Sequence, residues 1–164
     1  MSNVLIGIAG IVLFIGLALA GALFLGERFQ QSQTSSKASI LVQRTSQVAA
    51  AINLYNVTTG APVQSSNIRT ALFDTGYLKT FTQGMRMVAS DGNTASGDAY
   101  WAVTAVGSVT TDNVENVCRE VNRQTMGEPR ILAEREIAGH LAGCFASENW
   151  TAFSKGTYLV FQRA

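Results

Sequence analysis

Met1 to Gly26 contains no charged residue, and all 12 Lys+Arg and all 11 Asp+Glu fall from Glu27 onward. Within that stretch Val4 to Leu25 is an unbroken run of Val, Leu, Ile, Ala, Phe and Gly. As a helix it would be roughly 33 Å long, enough to cross a bilayer core. Such a segment cannot remain bare in water, so the chain must place it in lipid, lose it by cleavage, or cover it with other apolar helices. Each reading has a sequence correlate. Ala18-Leu19-Ala20 before Gly21 is a passable signal-cleavage site, but Met1-Ser2-Asn3 lacks the basic residues of a signal peptide. A plain membrane anchor fits the length, although only Arg28 lies close enough to orient it. The third reading is a helix that packs against copies of itself. Gly16/Ala20, Ala18/Ala22 and Ala22/Gly26 place small residues four apart, a spacing that lets apolar helices approach closely. The packing surface then comprises Leu5, Ile8, Ile11, Leu13, Phe14, Leu17 and Phe24 around Gly16, Ala18, Ala20, Gly21, Ala22 and Gly26.

Beyond Glu27 the helix is expected to continue. Gln30 to Ser36 is polar enough for a linker, but Ala38, Leu41, Thr45, Val48, Ile52 and Tyr55 follow at steps of three and four, giving one apolar stripe. A single helix from near residue 3 to near 57 is therefore predicted, roughly 80 Å long, apolar all round in its first half and amphipathic in its second. Ala38, Leu41, Val48, Ile52 and Tyr55 are its contacts to a globular head. Gly60 and Pro62 stop it. The chain divides into residues 1–26, the apolar helix; 27–58, its amphipathic continuation; and 59–164, the head.

In the head, Ser65 or Ser66 can cap a short helix holding Ile68, Ala71 and Leu72 and closed by Gly76. Met85 to Ala89 and Tyr100 to Val106 are predicted strands, with turn signals at Asp91-Gly92-Asn93 and Ser96-Gly97-Asp98. Thr111-Asp112 opens a second helix, with Asp112 and Glu115 as a capping box. Val114, Val117, Cys118 and Val121 share one face of it, so Cys118 points inward, and Gly127 ends it. Ile131 to Ala142 is compatible with a helix or a packed loop. Gly156 to Phe161 is a final strand. The fold class is α+β, a long N-terminal helix carrying a small antiparallel sheet.

Cys118 and Cys144 do not form a CxxC pair. With His140, the single histidine, they fall short of the four ligands of a standard zinc site. A disulfide between them, closing a loop of about two dozen residues, would stabilise by roughly 3 kcal/mol; two reduced core cysteines is the alternative. No metal or cofactor is implied. No phosphate loop or G-x-S-x-G is present, and a lone His140 near Glu134 and Glu136 makes no catalytic constellation. Those glutamates with Arg130 and Arg135 form a solvated patch or inter-subunit pairs. A net charge of +1 gives no electrostatic case for nucleic acid. Asn56-Val57-Thr58 and Asn149-Trp150-Thr151 match the N-glycosylation sequon. Trp101 and Trp150 are core or subunit-contact anchors rather than ligand platforms.

The layout resembles the type IV pilin family, specifically its type IVb group. The carriers are Val4–Leu25 running into the amphipathic Ala38–Tyr55, the Asp74-Thr75-Gly76-Tyr77-Leu78 phrase, Asn113–Val121 with its inward Cys118, Cys144 downstream, and the Tyr158–Phe161 strand. The resemblance implies that apolar half-helices bundle into a filament core, that heads form the outer shell, and that a disulfide closes the C-terminal region. Its implied partners are identical subunits, the membrane before assembly and an ATP-driven inner-membrane assembly machine. The expected location is the inner membrane, then an extracellular filament serving adhesion, conjugation, aggregation, DNA uptake or phage attachment. Two features depart from the family. Leu5 stands where most pilins carry Glu, which is thought to pair with a neighbouring subunit's N-terminal amine. No short basic leader precedes a Gly, so either Met1 is the mature N-terminus or a leader precedes it. The competing class is a membrane-anchored or secreted monomeric periplasmic binding or accessory domain.

Overall fold

A computed structural model gives an α+β architecture with a long N-terminal helix and a small antiparallel sheet. It describes residues 2–61, 63, 69–79, 85–89, 100–108, 113–148 and 153–164. The side chains of residues 2–6, 22–28, 85–89, 100–104, 107, 108, 135 and 138 lie outside that description. The proposed caps at Ser65 and Ser66, Ile68, Pro62, the turns at 91–93 and 96–98, Thr111-Asp112 and the Asn149-Trp150-Thr151 sequon also lie outside the described residues. The chain forms two compact units, Met1–Thr34 and Ser35–Ala164.

Helix α1 runs Ser2–Thr59. The polar Gln30–Ser36 stretch is helical, and hydroxyls there bond back to the preceding turn, as from Thr34 Oγ1 to Gln30 O at 3.0 Å. Thr58 and Thr59 do the same to Leu54 and Tyr55 carbonyls. Gly60 ends the helix at φ 67°, where its N–H reaches Asn56 O at 3.0 Å. A left-handed residue at this position favours glycine. The Asn56 side-chain oxygen then accepts from Val63 N–H at 3.1 Å, folding the exit chain back over the helix end.

In the Ser35–Ala164 unit, α1 buries Ala38, Thr45, Val48, Ala49 and Ile52, with Leu41 and Tyr55 half-buried. The stripe expected from spacing is the packed face. One core cluster joins Val48, Ala49, Ala51 and Ile52 to Val63 and Leu72, with Tyr55 edge-on to Tyr77 at 5.6 Å between ring centroids. The expected short helix around Ala71 and Leu72 is a π-helical turn, Thr70–Asp74. Gly76 closes it at φ 82°.

The sheet comprises β1 (Met85–Ala89), β2 (Tyr100–Ser108), β3 (Ala142–Ala146) and β4 (Thr157–Arg163), in the order β1-β2-β4-β3. All three pairings are antiparallel, and the β2–β4 register shifts between Ala105 and Gly107. Both faces of β3 and β4 are covered. Cys144, Tyr158 and Val160 pack with Ala38 of α1 and with Val114, Val117, Cys118 and Val121. Phe145, Leu159 and Phe161 pack with Leu132 and Ile137 on the other side. Burial on both faces explains why Tyr158–Phe161 is apolar without alternation.

Helix α2 runs Val114–Met126 and ends on left-handed Gly127. Asn113 is its N-cap residue and makes no side-chain capping bond; the expected capping box of Asp112 with Glu115 falls on Asp112, outside the described residues. The ambiguous Ile131–Ala142 segment separates into a parallel bridge from Leu132 to Phe145 and a 3₁₀ helix, Glu134–Gly139.

Candidate functional site: an assembly surface

The Met1–Thr34 unit exposes eight large apolar side chains between Ile8 and Leu19, from Ile15 at 51% to Phe14 at 74%. Five of them, Ile11 to Ile15, are successive, so at about 100° per residue they point all round the helix and leave no polar face. Covering such a set is worth on the order of 10 kcal/mol relative to water. A helix apolar all round is one that is buried in its working state. Gly7, Gly10, Gly16 and Gly21 have nothing within 4 Å of where a Cβ would stand. They form shallow notches on the helix surface. Of the proposed packing residues, Ile8, Ile11, Leu13, Phe14 and Leu17 are exposed; the side chains of Leu5, Ala22 and Phe24 lie outside the description. Among the described residues, no helix is long and apolar enough to cross a membrane.

The Ser35–Ala164 unit adds a second exposed feature that stripe reasoning missed. Ile40, Leu54 and Val57 are exposed at 46%, 55% and 83%. They belong to the series Ile40, Gln43, Gln47, Ala50, Leu54 and Val57, every member of which is exposed. Alternating steps of three and four give the 3.5-residue spacing of a helix-pairing seam. The signal was present in the sequence, but the stronger Ala38–Tyr55 stripe drew the apolar positions to the head.

The head that carries this helix is closed by several independent ties. Cys118 of α2 and Cys144 of β3 form a disulfide across a Cα–Cα distance of 5.4 Å. One turn on, Asn122 is fully buried. Its amide nitrogen donates to Cys144 O at 2.8 Å and to Arg130 O, and its amide oxygen accepts from Cys144 N–H. Since β3 is an edge strand, Asn122 satisfies backbone groups that a neighbouring strand would otherwise take. Gly143 permits this approach: a Cβ there would stand 3.0 Å from the Asn122 oxygen and 3.2 Å from Leu132 Cδ1.

Charged residues of the head are used mostly within the chain. Glu136 binds Arg130 at 2.8 Å and accepts from Ala133 N–H at 2.9 Å, holding the start of the 3₁₀ helix. Glu134 accepts from Glu148 N–H at 2.8 Å. The expected patch of Glu134, Glu136 and Arg130 is thus partly exposed and tied within the chain. Glu120 is held down to a pKa of about 2, first by the Arg123 guanidinium, with burial opposing and Gln124 and Ser35 assisting. Gln124 and Ser39 also bond to each other at 3.2 Å, tying α2 to α1. His140 is half-buried, and its backbone N–H bonds to Ile137 O at 3.0 Å. Among the described residues no cluster of His, Cys, Asp and Glu suits a metal ion. Trp101 has no described side chain, and Trp150 lies outside the described residues. No family model, curated protein or solved structure matches the chain.

Proposed function

We propose that this protein is a structural subunit of a type IV pilus-like extracellular filament, assembled by bundling of its apolar N-terminal helix. The observation that carries the reading is the all-round apolar surface from Ile8 to Leu19, attached to a head with its own core and disulfide. The open notches at Gly7, Gly10 and Gly16 support close helix approach in the bundle. The order of elements, from long helix through short turn, inward Cys118 and late Cys144 to a C-terminal strand, is also that of the type IVb pilins.

In this reading the subunit waits in the inner membrane and moves into the filament through an assembly machine. Lipid and bundle are both apolar, so the transfer gains little from hydrophobicity; packing at small residues and contacts between heads decide it. Leu5 in place of the family's Glu removes one registering ion pair, and also removes the cost of burying a carboxylate. Registry then falls to shape and to the heads.

Negative-stain microscopy of the native material tests this. Thin filaments containing the chain are expected. Dispersed particles or membrane-bound monomers under every condition would instead favour an anchored periplasmic binding or accessory domain. That alternative also predicts full activity for a chain lacking residues 1–26, whereas the filament subunit so shortened does not assemble.

A further inference from the structure

Within the Ser35–Ala164 unit a groove of about 450 Å³ opens where α1, β2 and the first turns of α2 meet. Its floor is apolar, made by Ile40, Val106, Val114 and Val117, and Lys37 and Arg44 stand on it. Both cations are exposed, and neither has a partner among the described residues. Apolar floor and cationic rim together specify the occupant: a compact hydrophobic group with a carboxylate beside it. The volume is in the range that takes a small ligand or one or two side chains.

The same unit displays such a group. In the π-helical turn Thr70–Asp74, Leu72 is fully buried against the core of α1, whereas the next two residues turn outward. Phe73 is 41% exposed. Asp74 is exposed and has no partner among the described residues. The turn is braced on both sides of this pair, by Leu78 N–H to Leu72 O at 2.8 Å and Gly76 N–H to Phe73 O at 3.1 Å. Phe73-Asp74 is therefore a held knob, not a wandering loop, and little ordering entropy is lost when it docks.

We propose that the Phe73-Asp74 knob of one copy seats in the Lys37/Arg44 groove of the next. This rests on the filament reading and names the head contact that reading requires. Phe73 lies on the apolar floor and Asp74 meets the two cations. The level of the two features along α1 gives the contact its polarity. The groove faces residues 37–44, and the knob's anchor packs against residues 48–52. They are offset by about 15 Å along the helix at 1.5 Å per residue. In a filament whose rods all point the same way, neighbours are not related by a two-fold across the rods, the one arrangement in which an offset knob and groove pair reciprocally. Each copy instead offers its knob to one neighbour and its groove to another, the heterologous arrangement that builds open helical assemblies.

The test uses the full chain in assembled filaments, with the photo-crosslinker benzoylphenylalanine in place of Phe73. The expected product is a dimer whose link maps to residues 37–44 or 106–117 of the second copy. With the crosslinker at Ile40, the link is expected at residues 70–79. Filaments that form normally while Phe73 links elsewhere overturn this interface and leave the filament reading standing. Capture of a lipid or other small amphiphile at Ile40, without a sister chain, also overturns it. Absence of filaments in the unsubstituted protein removes the filament reading and this contact together. Charge exchange gives a second line. Asp74→Arg sets like charges together and should lower filament yield by about tenfold or more, and Arg44→Glu in the same chain should restore most of it. Unchanged yield for Asp74→Arg contradicts the proposal.

Discussion

Replacing Asn122 by Ala isolates the tie between α2 and the sheet edge. The side chain is fully buried and makes three hydrogen bonds, two with Cys144 backbone groups and one with Arg130 O. Their loss is uneven. The Cys144 N–H is left buried with no replacement acceptor, which costs about 2 kcal/mol. Cys144 O keeps a contact from Leu132 N–H at 3.3 Å, and Arg130 O belongs to an exposed residue that water reaches. These two together cost about 1 kcal/mol. The small void beneath Gly143 adds roughly 0.5–1 kcal/mol. The sum is about 4 kcal/mol. For a unit of this size that lowers the melting temperature by about 12–16 °C. Denaturant unfolding of the full chain in detergent, followed by tryptophan fluorescence with the disulfide intact, measures it. A loss below about 1 kcal/mol would refute the assignment of Asn122 as the group that satisfies the β3 edge. Asn122→Asp should be at least as harmful, because it sets a carboxylate against two carbonyl oxygens.

Two other perturbations address the same head. Replacing both Cys118 and Cys144 by Ala opens a loop with a sequence separation of 26 and should cost about 3 kcal/mol, read as a lower denaturant midpoint; an unchanged midpoint would show that the bridge does not constrain the unfolded chain. Glu120 has a folded pKa near 2, below its ordinary 4.5, so its contribution is present above about 4.5 and is lost as pH falls through about 2. Arg123→Gln should flatten the fall in thermal stability between pH 4.5 and 2, and a stability profile identical to that of the unsubstituted chain in this window contradicts the pairing.

The legible parts of the fold were those set by local periodicity. Steps of three and four placed Ala38, Val48 and Ile52 on the packed face of α1 and turned Val114, Val117, Cys118 and Val121 inward on α2. The unbroken α1 was legible through Gln30–Ser36 because periodicity resumed beyond it. What escaped depended on distant partners. Ala142-Gly143-Cys144-Phe145-Ala146 has neither alternation nor β-branched residues, and it is a strand because β4 pairs on one edge and Asn122, from another helix, satisfies the other. The π-helical turn at Thr70–Asp74 reflects the need to bury Leu72 while Phe73 and Asp74 face out. For the assembly surface, composition showed the apolar rod, but the exposed series with Ile40, Leu54 and Val57 emerged only once Ala38, Val48 and Ile52 were seen to be the buried positions.

The central claim is that the N-terminal rods of many copies cover one another. Its most direct test is a high-resolution density map of the native particle, read at Leu17 and Ile11. The account predicts that side chains of sister copies surround both residues within van der Waals distance, with no water layer between. A map in which these residues are covered by lipid or detergent alone, and no second copy approaches them, contradicts it.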